Sequence, residues 1–287
     1  MRERHSDDLR VPFRVDDRYE PYASFFDHAW SRRIRDLARG TKLDEPTFSL
    51  CMNWKAIANT HRFPWLMIEC LKSQMQGFLR KHEPLAVAVS TAIESRLVQV
   101  MRDDLSEAAR QKLGNAVREI AEAASSARDD SHAMWTANAD MHWNELLPDQ
   151  EFAISIWGSQ RICYAALYHT FEDFARQCIA LAEGHADDWR PGGEVVEAAN
   201  RAFGKTFVQA CLCDREVTVA RLVRNALDHH GGRVTRKLRD IDHGLQVENG
   251  IIQILPDDTL KLFHVLKGRA YDLAARTLEL PGIQSPA

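Results

Sequence analysis

Glu216-Val-Thr-Val-Ala-Arg-Leu-Val-Arg-Asn-Ala-Leu-Asp-His-His-Gly-Gly232 is the stretch on which the reading of this chain turns. Its apolar residues Val219, Leu222, Val223, Ala226 and Leu227 recur at helical spacing. Asp214 stands where an N-cap is needed, and Asp214-Arg-Glu-Val places acids at the positive end of the helix. Gly231 and Gly232 stop it, because glycine takes the left-handed conformation at little cost. The last turns therefore carry Arg224, Asn225, His229 and His230. Asn225 and His229 are four apart and share a side of the helix. Arg224 and Asp228 have the same spacing and suit an ordinary surface ion pair. Between Arg221 and Arg239 stand six basic residues (Arg221, Arg224, Arg233, Arg236, Lys237 and Arg239) against one acid, Asp228, on a chain of formal net charge -4. A basic island on an acidic protein is where a polyanion binds.

A small amide, an imidazole and a neighbouring guanidinium at a helix end make a compact acid/base and anion-binding set. Histidine serves as acid or base because it titrates near neutrality. Arginine is permanently charged, and its planar fork fits a phosphate. One helix supplies one Arg and at most two His. Moreover, His229 is rotated about 140° from Arg224 on an ideal helix. Two such helices, brought together by a two-fold axis, would complete the set.

Arg224-Asn225-x-x-x-His229 followed by Gly-Gly resembles the motif of the HEPN superfamily, in which nuclease members carry Arg, four to six residues, then His. The resemblance covers roughly residues 152–278. Phe171-Glu172 on a preceding helix fits it too, since the family often has an acidic or polar residue there. It implies an all-α, multi-helix bundle of HEPN type. It also implies a metal-independent endoribonuclease whose site lies across a homodimer interface, often in toxin–antitoxin, abortive-infection or other antiviral defence systems. Carried onto this chain, His229 or His230 is the acid or base, Arg224 stabilises the scissile phosphate, Asn225 orients either group, and Glu172 holds Arg224 or an imidazole. Arg221, Arg233, Arg236, Lys237 and Tyr168 are the expected RNA contacts, with an antitoxin or defence-system protein as a further partner.

Working outward, Pro148 and Asp149 open a helix from Glu151 to Glu183, closed by Gly184. Ile156, Cys163, Ala166, Leu167, Phe171, Phe174, Cys178 and Leu181 form its apolar side. Arg161, Tyr164 or Ala165, Tyr168, Glu172 and Arg176 form a polar-aromatic stripe, either solvated or leaning on the motif helix. Residues 185–193 read as a loop and 194–211 as one helix. Arg233 to Asp240 is a basic linker or helical turn. Glu248-Asn249-Gly250 between Leu245-Gln-Val and Ile251-Ile-Gln-Ile predicts a small hairpin near 245–255. Asp257 or Asp258 caps a last helix to Leu278.

Toward the N-terminus, residues 1–23 mix Arg and Asp as an arm. Ser24 is expected to cap a short helix through Arg39, with Arg32, Arg33, Arg35 and Arg39 on its outer face. Residues 41–52 read as a polar loop with Pro46. Helices are expected over 53–63, from Pro64 to Lys81, and across Leu85 to Ala127, whose Ala, Glu, Arg, Leu and Gln favour helix. The expected organisation is a 1–50 arm with one helix, a 51–147 helical region and a 148–287 HEPN-like domain.

The chain has 287 residues, 45% of them apolar and 27% charged, which suits a soluble protein with a sizeable core. No run approaches the roughly 20 apolar residues of a membrane helix. Met1-Arg-Glu-Arg-His lacks the apolar core of a signal peptide, so a cytoplasmic location is expected. Cys51, Cys70, Cys163, Cys178 and Cys211 sit in apolar surroundings, and Cys211-x-Cys213 lacks zinc or redox spacing. Neither disulfides, a metal nor a cofactor is expected. Three other readings remain: a non-catalytic HEPN-like protein that binds nucleic acid or a partner, a helical enzyme with His132, His142 and Glu145 as metal ligands, and an antitoxin or structural subunit whose helices serve only assembly.

Overall fold

The computed structural model of the chain describes residues 24–68, 148–184 and 195–283, with isolated positions between 70 and 146. It is mainly helical, with one two-stranded sheet among the described residues. The helices are α1 (His28–Ala38), α2 (Asp44–His61), α3 (Gln150–Ala182), α4 (Val195–Phe203), α5 (Lys205–Cys211), α6 (Arg215–His229), α7 (Arg236–Arg239) and α8 (Pro256–Leu278). The strands β1 (Val247–Glu248) and β2 (Ile251–Ile252) lie between α7 and α8.

The chain forms two compact units. One joins the described residues up to Pro64 to those from Leu146 onward, and the other is Trp65–Glu145. The expected breaks after residues 50 and 147 differ from these, because α1 and α2 pack with the C-terminal helices rather than ahead of them. In the second unit every described position except Ser106 is helical. Most of the helix expected over 85–127 lies outside the described residues, as do His132, Asp140, His142, Glu145 and the stretches 1–23 and 185–194.

At 33 residues and about 50 Å long, α3 is the axis of the first unit. Asp149 caps it by accepting from the Phe152 N–H at 2.9 Å. It packs against α8, α2, α6 and α4. With neighbours on several sides it buries more than one stripe: Ile156, Cys163, Leu167, Phe171, Phe174 and Cys178, but also Gln160, Tyr164 and Tyr168. The polar-aromatic stripe is thus packed rather than solvated.

The N-terminal helices differ from expectation in two places. Asp27, not Ser24, caps α1, accepting from the Trp30 N–H at 2.9 Å. Its other oxygen binds Lys267 Nζ at 2.9 Å, and this partner on α8 fixes where the helix starts. The expected loop over 41–52 is largely the first half of α2. Pro46 falls in its first turn, where a missing N–H costs nothing. Thr47, Leu50, Cys51, Trp54 and Ala58 then face the core. Trp30 and Trp54 stack at 5.1 Å, and Phe263 of α8 meets Trp54 edge-on at 5.4 Å. The indole N–H of Trp30 donates to the Lys267 carbonyl at 2.9 Å, and that of Trp54 to Thr170 Oγ1 at 2.7 Å. His61 closes α2 inside the core, 2% exposed, edge-on to Phe25 at 5.2 Å and beside the buried Gln160. Burial pushes its pKa down to about 4.

The helix expected across 194–211 is two, because Gly204 at φ +86° breaks it into α4 and α5. The hairpin forms as expected, with Val247 opposite Ile252 and Glu248 opposite Ile251. Asn249 at φ +50° and Gly250 at φ +75° give the left-handed pair that a two-residue hairpin turn requires. Helix α8 starts at Pro256, and Asp258 accepts from the Leu255 N–H at 2.9 Å. All six cysteines are free, and Cys70 is exposed rather than in apolar surroundings. No helix among the described residues is long and apolar enough to cross a membrane.

Candidate functional site at the end of α6

Helix α6 is fixed at both ends. Asp214 Oδ1 accepts from the Val217 N–H at 2.8 Å, while its other oxygen takes Arg269 Nε of α8 at 2.7 Å. Val217, Ala220, Val223 and Ala226 are buried between α3 and α8. At the far end the His230 and Gly232 N–H groups both reach the Ala226 carbonyl, at 3.1 and 2.8 Å, with Gly231 at φ +60° and Gly232 at φ +83°. The chain then joins the hairpin. The Gly232 carbonyl accepts from the Ile252 N–H at 2.9 Å, and the Val234 N–H donates to the Gly250 carbonyl at 3.0 Å. His229 and His230 therefore leave a backbone clamped on both sides, and both side chains are exposed.

Arg224 points the other way. Its Nη2 lies 2.6 Å from Glu172 Oε2 on α3, with the Arg224 side chain 16% exposed. Glu172 Oε1 lies 3.4 Å from Arg176 Nη2, so one carboxylate stands between two guanidiniums. The guanidinium of Arg224 also rests over Tyr168, 5.6 Å from the ring centre. The surface pair with Asp228 is replaced by this contact to α3, since a part-buried guanidinium is better served by a carboxylate that shares its burial. Tyr168, expected as an RNA contact, is 4% exposed and serves instead as the platform under Arg224. Burial, and secondarily Glu172, push its phenol up to about 12.

The remaining basic candidates, Arg221, Arg233, Arg236 and Lys237, are exposed, as is Arg239. Asn225 is half-buried. Thus Arg224, Glu172 and Tyr168 come together, and His229 and His230 share the solvent side with the basic surface. Arg224 turns to Glu172 on α3 while His229 is exposed to solvent, in keeping with their rotation on the helix.

One cation at the site belongs to the stripe on α3 and was not assigned to it from sequence. Arg161 stacks on Trp157, its Cζ 4.3 Å from the ring centre, and lies against Gly232. A Cβ on Gly232 would stand 2.3 Å from Arg161 Nη2. Arg161 makes no ion pair among the described residues, and burial lowers its pKa. The available signal was its register, since Arg161, Tyr168 and Glu172 recur at helical spacing on the face that meets α6. What hid it was that the meeting of α3 with the Gly-Gly turn is a tertiary contact.

Among the described residues no three His, Cys, Asp or Glu side chains group so as to hold a metal ion. Comparison of the chain with protein-family models, with curated proteins and with solved structures finds no match. The architecture and the side chains at the end of α6 are what speak to function.

Proposed function

We propose that this chain is a metal-independent endoribonuclease of HEPN type, acting as a homodimer whose two α6 ends share one cleft. The observation that carries the reading is the exposed pair His229–His230, held on a clamped backbone beside Arg161, a cation with no carboxylate partner among the described residues. One imidazole takes the proton from the ribose 2′-hydroxyl. The freed oxygen attacks phosphorus, the P–O5′ bond breaks, and a second imidazole, from the same or the partner protomer, protonates the 5′-oxygen. Arg161 and the exposed Arg221 and Arg233 offer charge to the phosphates. Arg224, bound by Glu172, positions α6 on α3. Such an enzyme would work in the cytoplasm, in phage defence or under an antitoxin.

A second reading, non-catalytic binding of nucleic acid, is favoured by one observation: Glu172 already neutralises Arg224, the arginine of the motif. Cleavage of total RNA by the purified full chain separates the two. The nuclease reading expects products ending in 2′,3′-cyclic phosphate and 5′-hydroxyl, unaffected by EDTA. It also expects loss of at least about 100-fold in the double variant His229→Ala/His230→Ala with thermal unfolding unchanged. Binding of RNA by the wild type without cleavage supports the second reading. Activity that EDTA removes and Mg²⁺ restores refutes the first.

A further inference from the structure

A cavity of about 650 Å³ opens at the N-terminal end of α6. The 15 residues of α6 put it about 20 Å from the histidines, so it is separate from the site above. Tyr164 of α3, Val219 of α6 and one face of α8 line it, and the loop Asp242–Leu245 borders it.

Its charges do not cancel. Asp214 is held by Arg269 at 2.7 Å and Asp242 by Arg215 at 2.6 Å. Glu216, Asp258, Lys261 and His243 remain, with two carboxylates to one lysine and His243 Nδ1 accepting from the Leu245 N–H at 3.1 Å. Asp258 uses one oxygen to accept from the Leu255 N–H and makes no ion pair among the described residues. Burial holds its carboxyl above the usual range, with Lys261 one turn along α8 opposing that and Asp257 adding to it. Tyr164 is 4% exposed and lines the cavity, and its hydroxyl has no hydrogen-bond partner among the described residues. The residue is part of the cavity wall, which puts an unpaired donor and acceptor at its lining. Asp258 is near enough to raise the Tyr164 phenol further.

We propose that this cavity binds a small organic amine, its ammonium group held between Asp258 and Tyr164 Oη and its apolar body set against Val219, Leu262 and Val265. An ammonium gives the desolvated Asp258 carboxylate a counter-charge and the Tyr164 oxygen a donor in one group. A wholly apolar guest would leave that hydroxyl buried and unsatisfied. An anion would meet the surplus carboxylate. A bare metal ion would lack the three or more ligands it requires, since no such group exists among the described residues.

Calorimetric titration of the full chain with butylamine, phenethylamine and tryptamine tests this, alongside phenethyl alcohol, 3-phenylpropionate, MgCl₂ and CaCl₂. The expected result is saturable binding of at least one amine at millimolar concentration or below. The uncharged and anionic analogues should bind at least about tenfold more weakly. Asp258→Asn keeps an oxygen for the Leu255 N–H and should weaken the amine about tenfold; Tyr164→Phe should weaken it severalfold. Val219→Trp should fill the cavity and abolish binding with the helical circular dichroism unchanged. The proposal is overturned by absence of saturable binding for all three amines, by equal binding of phenethyl alcohol, or by preference for either metal ion. Undiminished amine binding to Val219→Trp would overturn it as well.

Discussion

Replacing His61 by Gln should make the protein less sensitive to acid. His61 is 2% exposed, and its burial moves its pKa from 6.5 down to about 4. In the unfolded chain it takes up its proton near pH 6.5, before the folded chain does. The depressed value therefore means stability that is present above about pH 6.5 and lost as pH falls toward 4. Linkage between these two values removes about 2 kcal/mol between pH 7 and pH 5, and about 3 kcal/mol once both states are protonated. His61→Gln keeps a side chain able to hydrogen-bond Gln160 but cannot titrate. Urea unfolding followed by tryptophan fluorescence, at pH 7 and at pH 5, measures the difference. The wild type should lose about 2 kcal/mol more than the variant over that interval, because the carboxylates respond alike in both. Identical pH dependence in the two proteins would show that the imidazole is not kept neutral by burial.

Two further outcomes concern the same unit. Gly231→Ala and Gly232→Ala each force a side chain into the left-handed region, at a cost of about 1–2 kcal/mol. Gly232→Ala should cost about 0.5–1 kcal/mol more, because its Cβ displaces Arg161 from Trp157, and that excess should vanish in an Arg161→Ala background. Chemical denaturation of the four variants reads it, and an excess that persists without Arg161 would refute the contact. Trp54→Phe should destabilise by about 2–4 kcal/mol through the lost bond to Thr170 and the void left in the core. Met52→Ala, exposed on the same helix, should stay within about 0.5 kcal/mol, and equal melting shifts would contradict the burial.

What could be read from sequence were the features set by short spans of chain. The apolar spacing of α3 and α6, the Asp214 cap, the Gly231–Gly232 stop and the Asn249–Gly250 turn each follow from neighbours within a few residues. The misreadings came where local chemistry allows two outcomes. Pro46 can sit in a loop or in a first turn, and the buried faces of Leu50 and Trp54 decided for the turn. Gly204 can be tolerated in a helix or end it, and here a positive φ separates α4 from α5. In the candidate site, Arg224 had a carboxylate four residues away in sequence and another 52 positions away. The second won because it lies on the helix against which α6 packs. The place of Arg161 beside Gly232 had no local signature, since it depends on which turn of α3 meets the end of α6.

The aromatic seat shared by α1, α2 and α8 has a consequence for synthesis. The indole of Trp54 bonds a residue 116 positions later, and that of Trp30 one 237 positions later. At about 5–20 residues per second, Trp54 leaves the ribosome some 6–20 s before its partner on α3. Trp30 waits about twice as long for α8. Throughout that interval the nascent chain carries two unsheltered indoles and the leucines beside them. A chaperone that shields emerging apolar segments should therefore raise the yield of this protein more than that of a bundle whose helices pair in chain order.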